Sequence, residues 1–133
     1  MKRLNGDKQM TDVWHLPAIA RWEKSCGKHP TQKPLGVLTR LIQASTLPGA
    51  WILDPFSGSG TTGIAANLRG RRYLGLEKEE EFLAMSKARR EEIENINLKN
   101  DYLQRLTKAK IILPQDNSST VSDSSEEYGV PWL

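Results

Sequence analysis

The feature that most restricts how this chain can fold is Leu53-Asp54-Pro55-Phe56-Ser57-Gly58-Ser59-Gly60-Thr61-Thr62-Gly63. An apolar run, Trp51-Ile52-Leu53, leads into it, and Ile64-Ala65-Ala66-Asn67-Leu68 leads out. That pattern reads as a strand, a glycine turn and a helix, with a carboxylate at the strand tip. The glycines at 58, 60 and 63 permit a tight turn and a close approach by a ligand or a neighbouring helix. The first turn of the following helix offers N–H groups with no partner inside the helix.

The rest of the chain is arranged around this turn. Upstream, Pro34 suits the start of a helix running to about Thr46, with Leu35, Leu38, Leu41, Ile42 and Ser45 as one face. Residues 21–29 read as loop. Ala50 to Asp54 is apolar throughout, as expected of a parallel strand buried on both faces. Downstream, a helix from Thr61 to Leu68 ends at Gly70, and Tyr73-Leu74-Gly75-Leu76-Glu77 forms a second strand, completing a βαβ unit. Lys78 to about Asn95 is helical, with Phe82, Met85, Ile93 and Ile96 on one face, interrupted by Arg89. A further helix is expected from Tyr102 to Lys110, with Leu103, Leu106, Ile111 and Ile112 apolar.

This organisation gives three regions: a polar or extended segment at 1–28, a ligand-binding α/β part at 29–113, and a Ser-rich acidic tail at 114–133 expected to be disordered. Charge divides the same way. Residues 1–110 hold 19 basic against 12 acidic side chains, a net +7, while the tail has only acids. A basic body suits a polyanionic partner. Cys26 is the single cysteine, which excludes a disulfide framework and a cysteine-based metal cluster. No run reaches the ~18 apolar residues of a membrane span and no signal-peptide pattern opens the chain, so a soluble, cytoplasmic protein without membrane or metal is expected.

Three ligands compete for the glycine turn. A P-loop needs a lysine at its end, and no lysine lies between Trp51 and Tyr73. A dinucleotide would match Gly58-x-Gly60-x-x-Gly63, with Glu77 on a ribose, making the chain an NAD-binding fragment. Asp54 opposes that reading, because it would repel a pyrophosphate at the strand tip. S-adenosylmethionine has an ammonium and a sulfonium at its methionine end, so a carboxylate at Asp54 suits it. Glu77 can then accept from the ribose hydroxyls, and Phe56 can lie against the adenine or the methionine chain.

His29-Pro30-Thr31-Gln32-Lys33-Pro34, the 53–62 stretch and Gly75-Leu76-Glu77, in that order, resemble the amino-group DNA methyltransferases of restriction–modification systems. The likeness is to the class in which the cofactor motifs follow the catalytic motif, and it covers residues 12–96, with Val13-Trp14-His15-Leu16-Pro17 resembling the segment that precedes the cofactor half. It implies a partial Rossmann-like fold, an incomplete doubly wound parallel sheet, with Thr31 and Lys33 beside the methionine end. Asp54, Pro55, Phe56, Ser57, Gly58, Ser59, Gly60, Thr61 and Thr62 would form the methionine pocket, and Glu77 would hold the ribose. The family transfers a methyl to adenine N6 or cytosine N4 of a base flipped out of duplex DNA, using an Asp/Asn/Ser-Pro-Pro-aromatic motif. No two prolines are adjacent here, so no catalytic residue is assigned.

The expectation is therefore the cofactor-binding part of a DNA methyltransferase, with adenine-N6 favoured. Its partners would be duplex DNA and a catalytic-half polypeptide, and it would have no turnover alone. The competing expectation is a non-catalytic module binding DNA or a partner, with Arg69, Arg71, Arg72, Arg89 and Arg90 as phosphate contacts.

Overall fold

The structure, a computed structural model, describes residues 7–9, 11–14, 16 and 18–109. The 114–133 tail, His15, Pro17, Ile111 and Ile112 lie outside the described residues. The order of elements is α1 (Leu35–Ser45), β1 (Trp51–Asp54), α2 (Thr61–Leu68), β2 (Arg72–Gly75), α3 (Glu80–Glu94) and α4 (Ile96–Lys108). The strands pair in parallel, from Trp51 opposite Arg72 to Asp54 opposite Gly75, with α2 as the crossover. The sheet of the described residues has these two strands alone, an incomplete Rossmann-like α/β arrangement.

α2 is the hub, touching α1, both strands and α3. Its close approach to the sheet depends on Gly63, where an added Cβ would lie 2.5 Å from Cε1 of Tyr73. Ile64, Ala65, Ala66 and Leu68 of α2 are buried with Leu35, Ile42, Ile93, Tyr102 and Leu106 in one core. Gly70 ends the helix at φ 69°, the left-handed conformation expected after a helix.

The expected two-sided burial of β1 is not found. Strand side chains alternate between faces. Ile52 and Tyr73 face α2 and pack against the core, whereas Trp51 (67% exposed) and Leu53 (63%) face away, with Leu74 and Leu76 (54% each). The helices described here cover one face of the sheet. The Arg72 guanidinium lies 5.7 Å from the Trp51 ring centroid on the uncovered face.

The helices depart from expectation in three further ways. In α1 the buried stripe is Leu35, Thr39 and Ile42, and Leu41 is exposed, because six residues from Leu35 places it off that face. Residues 21–24 form a 3-10 turn rather than loop, and Glu23 within it is buried. Its carboxylate accepts from the Leu35 N–H at 2.7 Å, so α1 is capped by a side chain twelve residues upstream. Finally, α4 starts at Ile96, six residues before the expected Tyr102, because the Asn95 side chain accepts from the N–H groups of Asn97 and Leu98. Ile96 is exposed and contributes nothing to the face of α3.

Candidate functional site

The glycine turn sits at the carboxyl ends of β1 and β2, where ligands of open α/β sheets bind. Asp54 accepts from the Phe56 N–H through Oδ1 at 3.1 Å, a local turn that leaves its second oxygen available among the described residues. The Ser57 N–H donates to the Leu76 carbonyl at 2.9 Å, and the Ser57 hydroxyl meets the Tyr73 hydroxyl at 2.8 Å. Burial raises the Tyr73 phenol above its usual range, which keeps it neutral in that contact. Gly60 adopts φ 73°, and an added Cβ there would lie 2.2 Å from Ser86 Oγ, so α3 packs directly on the back of the turn.

Glu77 has a larger mechanical role than the sequence suggests. It accepts from the Gly58 N–H through Oε2 at 2.7 Å, and from the N–H groups of Lys78 and Glu79 through Oε1 at 2.9 and 3.0 Å. The Glu79 N–H contributes most to holding its carboxyl below the usual range, with the Gly58 and Lys78 N–H groups assisting. A carboxylate has about four acceptor positions, so one remains for a ligand.

Nine of the twelve residues expected at the site, namely Thr31, Lys33, Asp54, Phe56, Ser57, Gly58, Ser59, Thr61 and Thr62, line one cavity of ≈150 Å³ with His29, Gln32 and Leu38. Pro55 and Glu77 lie beyond Phe56, in a more open hollow of ≈420 Å³ completed by Leu76 and Lys78. Gly60 lines neither; it faces a groove against Ser86 and Arg90 of α3. Phe56, 88% exposed, lines both the smaller cavity and the larger, more apolar hollow.

Sequence reasoning missed two contributors. His29 packs on Phe82 with ring centroids 4.1 Å apart and ring planes tilted by 58°, accepts from the Thr31 N–H through Nδ1 at 3.2 Å, and would meet any Cβ on Gly58. Arg89 is the larger surprise. Expected as a break in the apolar face of α3 and as a phosphate contact, it is 2% exposed. It belongs to the buried stripe Met85–Arg89–Ile93, whose four-residue spacing was the available signal. Of the other arginines expected as phosphate contacts, Arg69 has its Nε and Nη1 buried without a hydrogen-bond partner among the described residues, and three are engaged. Arg71 bonds Thr46 and the Arg69 carbonyl, Arg72 lies over Trp51, and Arg90 pairs with Glu94 at 3.4 Å.

A parallel βαβ unit with a carboxylate at the first strand tip, a glycine turn and a carboxylate after the second strand is a piece of a Rossmann-like, nucleoside-binding fold. The chain belongs to the DNA methylase family, whose pattern matches residues 1–88. It is 59% identical over 108 residues to the Type II methyltransferase M2.MboI of Moraxella bovis, covering 81% of this chain and 39% of that protein. Against the Type II methyltransferase M2.DpnII of Streptococcus pneumoniae it is 53% identical over 91 residues, covering 68% and 34%. Among solved structures it is similar to M1.HpyAVI in the crystal structure of the M1.HpyAVI–SAM complex, with a TM-score of 0.54, 37% identity, and coverage of 62% of this chain and 41% of that one. The chain thus spans between about a third and two fifths of the curated relatives it matches. No helix among the described residues is long and apolar enough to cross a membrane, and no group of three or more His, Cys, Asp or Glu among them could hold a metal ion.

Proposed function

We propose that this chain forms the S-adenosylmethionine-binding part of a DNA methyltransferase acting on an exocyclic amine in duplex DNA, adenine N6 in preference to cytosine N4, within a cytoplasmic restriction–modification system. The observation that carries this reading is the gathering of Thr31, Lys33, Asp54, Phe56, Gly58 and the hydroxyl residues Ser57, Ser59, Thr61 and Thr62 around one small cavity, with Glu77 across Phe56. The donor set fits the cofactor. Asp54 offers a carboxylate oxygen to an ammonium, and a cavity of ≈150 Å³ takes an amino-acid end but not a nucleoside. The nucleoside would extend past Phe56 into the wider hollow, where Glu77 has one acceptor position for a ribose hydroxyl. When bound, S-adenosylmethionine supplies an electrophilic methyl group. The residues of this chain bind and orient it, and none of them is assigned a proton-transfer role.

The bare sheet face supports a complementary polypeptide carrying the catalytic residues. Four large apolar side chains, Trp51, Leu53, Leu74 and Leu76, stand exposed on one side of two adjacent strands, a patch of the kind that marks an interaction surface. The alternative of a DNA-binding module resting on arginines is disfavoured, since Arg71 and Arg89 are committed to internal bonds.

Calorimetry with S-adenosylmethionine tests the reading. Binding is expected, with a loss of affinity of tenfold or more, on the order of a hydrogen bond to a charged group, in Asp54→Ala. No binding by the wild-type chain, or tighter binding of NAD, sinks it. Mixing the chain with a catalytic-half polypeptide and DNA is expected to give methyl transfer that neither gives alone.

A further inference from the structure

The guanidinium of Arg89 is buried without a carboxylate partner at ion-pair distance among the described residues. Its Nη1 donates instead to the Ser59 carbonyl at 2.7 Å, to Thr61 Oγ1 at 3.0 Å and to Ser59 Oγ at 3.3 Å. Its Nη2 is buried with no protein partner among the described residues. An arginine held this way is costly, because a buried charge normally requires a counter-charge. Burial accordingly lowers its pKa, against the opposing influence of Tyr102, Glu23, Cys26 and Glu92. A guanidinium nevertheless stays protonated at any ordinary pH.

The consequence falls on two hydroxyls. Each has one O–H to donate and two lone pairs to accept with, and arginine can only donate. Ser59 Oγ and Thr61 Oγ1 both accept from Arg89 and lie 3.3 Å apart, so one donates to the other. The second hydroxyl proton has no acceptor among the described residues, yet Ser59 and Thr61 both line the ≈150 Å³ cavity. The Arg89 guanidinium thus stands behind two hydroxyl-bearing residues of the cavity lining, with one hydroxyl proton uncommitted, and Lys33 and Asp54 line the same cavity. A zwitterion calls for donors and a carboxylate in one cavity, and this lining has both.

We propose that Arg89 is a positioning residue for the amino-acid end of S-adenosylmethionine, aiming the spare hydroxyl proton of the Ser59–Thr61 pair at the ligand carboxylate while Asp54 takes the ammonium. This rests on the cofactor reading above and assigns the selectivity of that site to a residue outside the glycine turn. Decarboxylated S-adenosylmethionine, which keeps the ammonium and sulfonium and lacks only the carboxylate, is the discriminating probe.

Calorimetry with both ligands tests it. The wild-type chain is expected to bind S-adenosylmethionine roughly tenfold to a hundredfold more tightly than the decarboxylated compound, as for a charge-assisted hydrogen bond. Arg89→Met is expected to erase that ratio, and Arg89→Lys, which keeps the charge, to restore part of it. The double variant Ser59→Ala/Thr61→Val removes the hydroxyls and keeps the guanidinium with its bond to the Ser59 carbonyl, and is expected to erase the ratio as well, which keeps the test decisive if Arg89→Met fails to fold. A ratio that survives in either the Arg89→Met or the double variant, or equal weakening of both ligands, overturns the inference and leaves the cofactor reading intact. Absence of any S-adenosylmethionine binding by the wild-type chain overturns the cofactor reading, and this inference with it.

Discussion

The two faces of the β1–β2 pair are built from similar side chains and end in opposite environments. On one, Ile52 and Tyr73 meet α2, whose glycine and alanines let backbone approach backbone, and α1, α3 and α4 extend the same layer. On the other, Trp51, Leu53, Leu74 and Leu76 stand exposed, and among the described residues the Arg72 guanidinium lies over the indole. The difference separates stability from assembly. The covered face holds the described fold together, whereas the uncovered face carries apolar surface that the described helices do not cover.

The contrast can be broken most directly at Ile64, which is 2% exposed on the covered side. Ile64→Ala is expected to cost about 2–5 kcal/mol in urea unfolding, as for other large-to-small core changes. Gly63→Ala sets a methyl against the Tyr73 ring and is expected to cost about 1–3 kcal/mol, the usual range for overpacking. A full-stability Gly63→Ala chain would mean that α2 does not seat on the sheet as described.

Acid and base probe the same division more gently. Burial, reinforced by its hydrogen bond to Glu92, pushes the Tyr102 phenol up to about 12. The stability this confers is complete below its ordinary value of 10 and is lost as the pH rises towards 12; Tyr102→Phe is expected to flatten that alkaline decline in a Tm-versus-pH series. Glu77 has the opposite sign. Its carboxyl is held low, so its contribution is complete above 4.5 and disappears as the pH falls through the lowered value, a change absent from Glu77→Gln. The smallest effects belong to the uncovered face. Leu53→Ser and Leu74→Ser are expected to shift stability by less than about 0.5 kcal/mol while weakening binding of a hydrophobic dye. If either costs as much as Ile64→Ala, the two faces are not distinct.

Much of this was legible in the sequence because the information is local. The turn at 53–63 announces itself through glycine spacing and a strand-tip carboxylate, and Gly70 marks a helix end within three residues of the last apolar position. What escaped depends on partners distant in sequence. The apolar run at 51–53 specifies a strand but not how many of its faces are covered. Glu23 reads as a surface acid until α1 docks on it, and Arg89 reads as a solvated break until Ser59 and Thr61 fold over it. Asn95 is the exception, a local cap signal open to recognition and overlooked.

At the end of the sheet away from the cavity, Arg71 donates through Nε to Thr46 Oγ1 at 3.0 Å, bridging 25 residues. The Gly49 N–H donates to the Gly70 carbonyl at 2.8 Å beside it, and the Arg72 N–H to the Ala50 carbonyl at 2.9 Å. These ties matter to the order of assembly. Closing the ring from Thr46 to Arg71 loses chain entropy that rises only logarithmically with its length, and it is lost once. With the ring shut, Trp51 faces Arg72, the first pair of the parallel ladder. One arginine at the far end of the strands thereby ties the start of a register that runs from Trp51 opposite Arg72 to Asp54 opposite Gly75, two residues before Glu77.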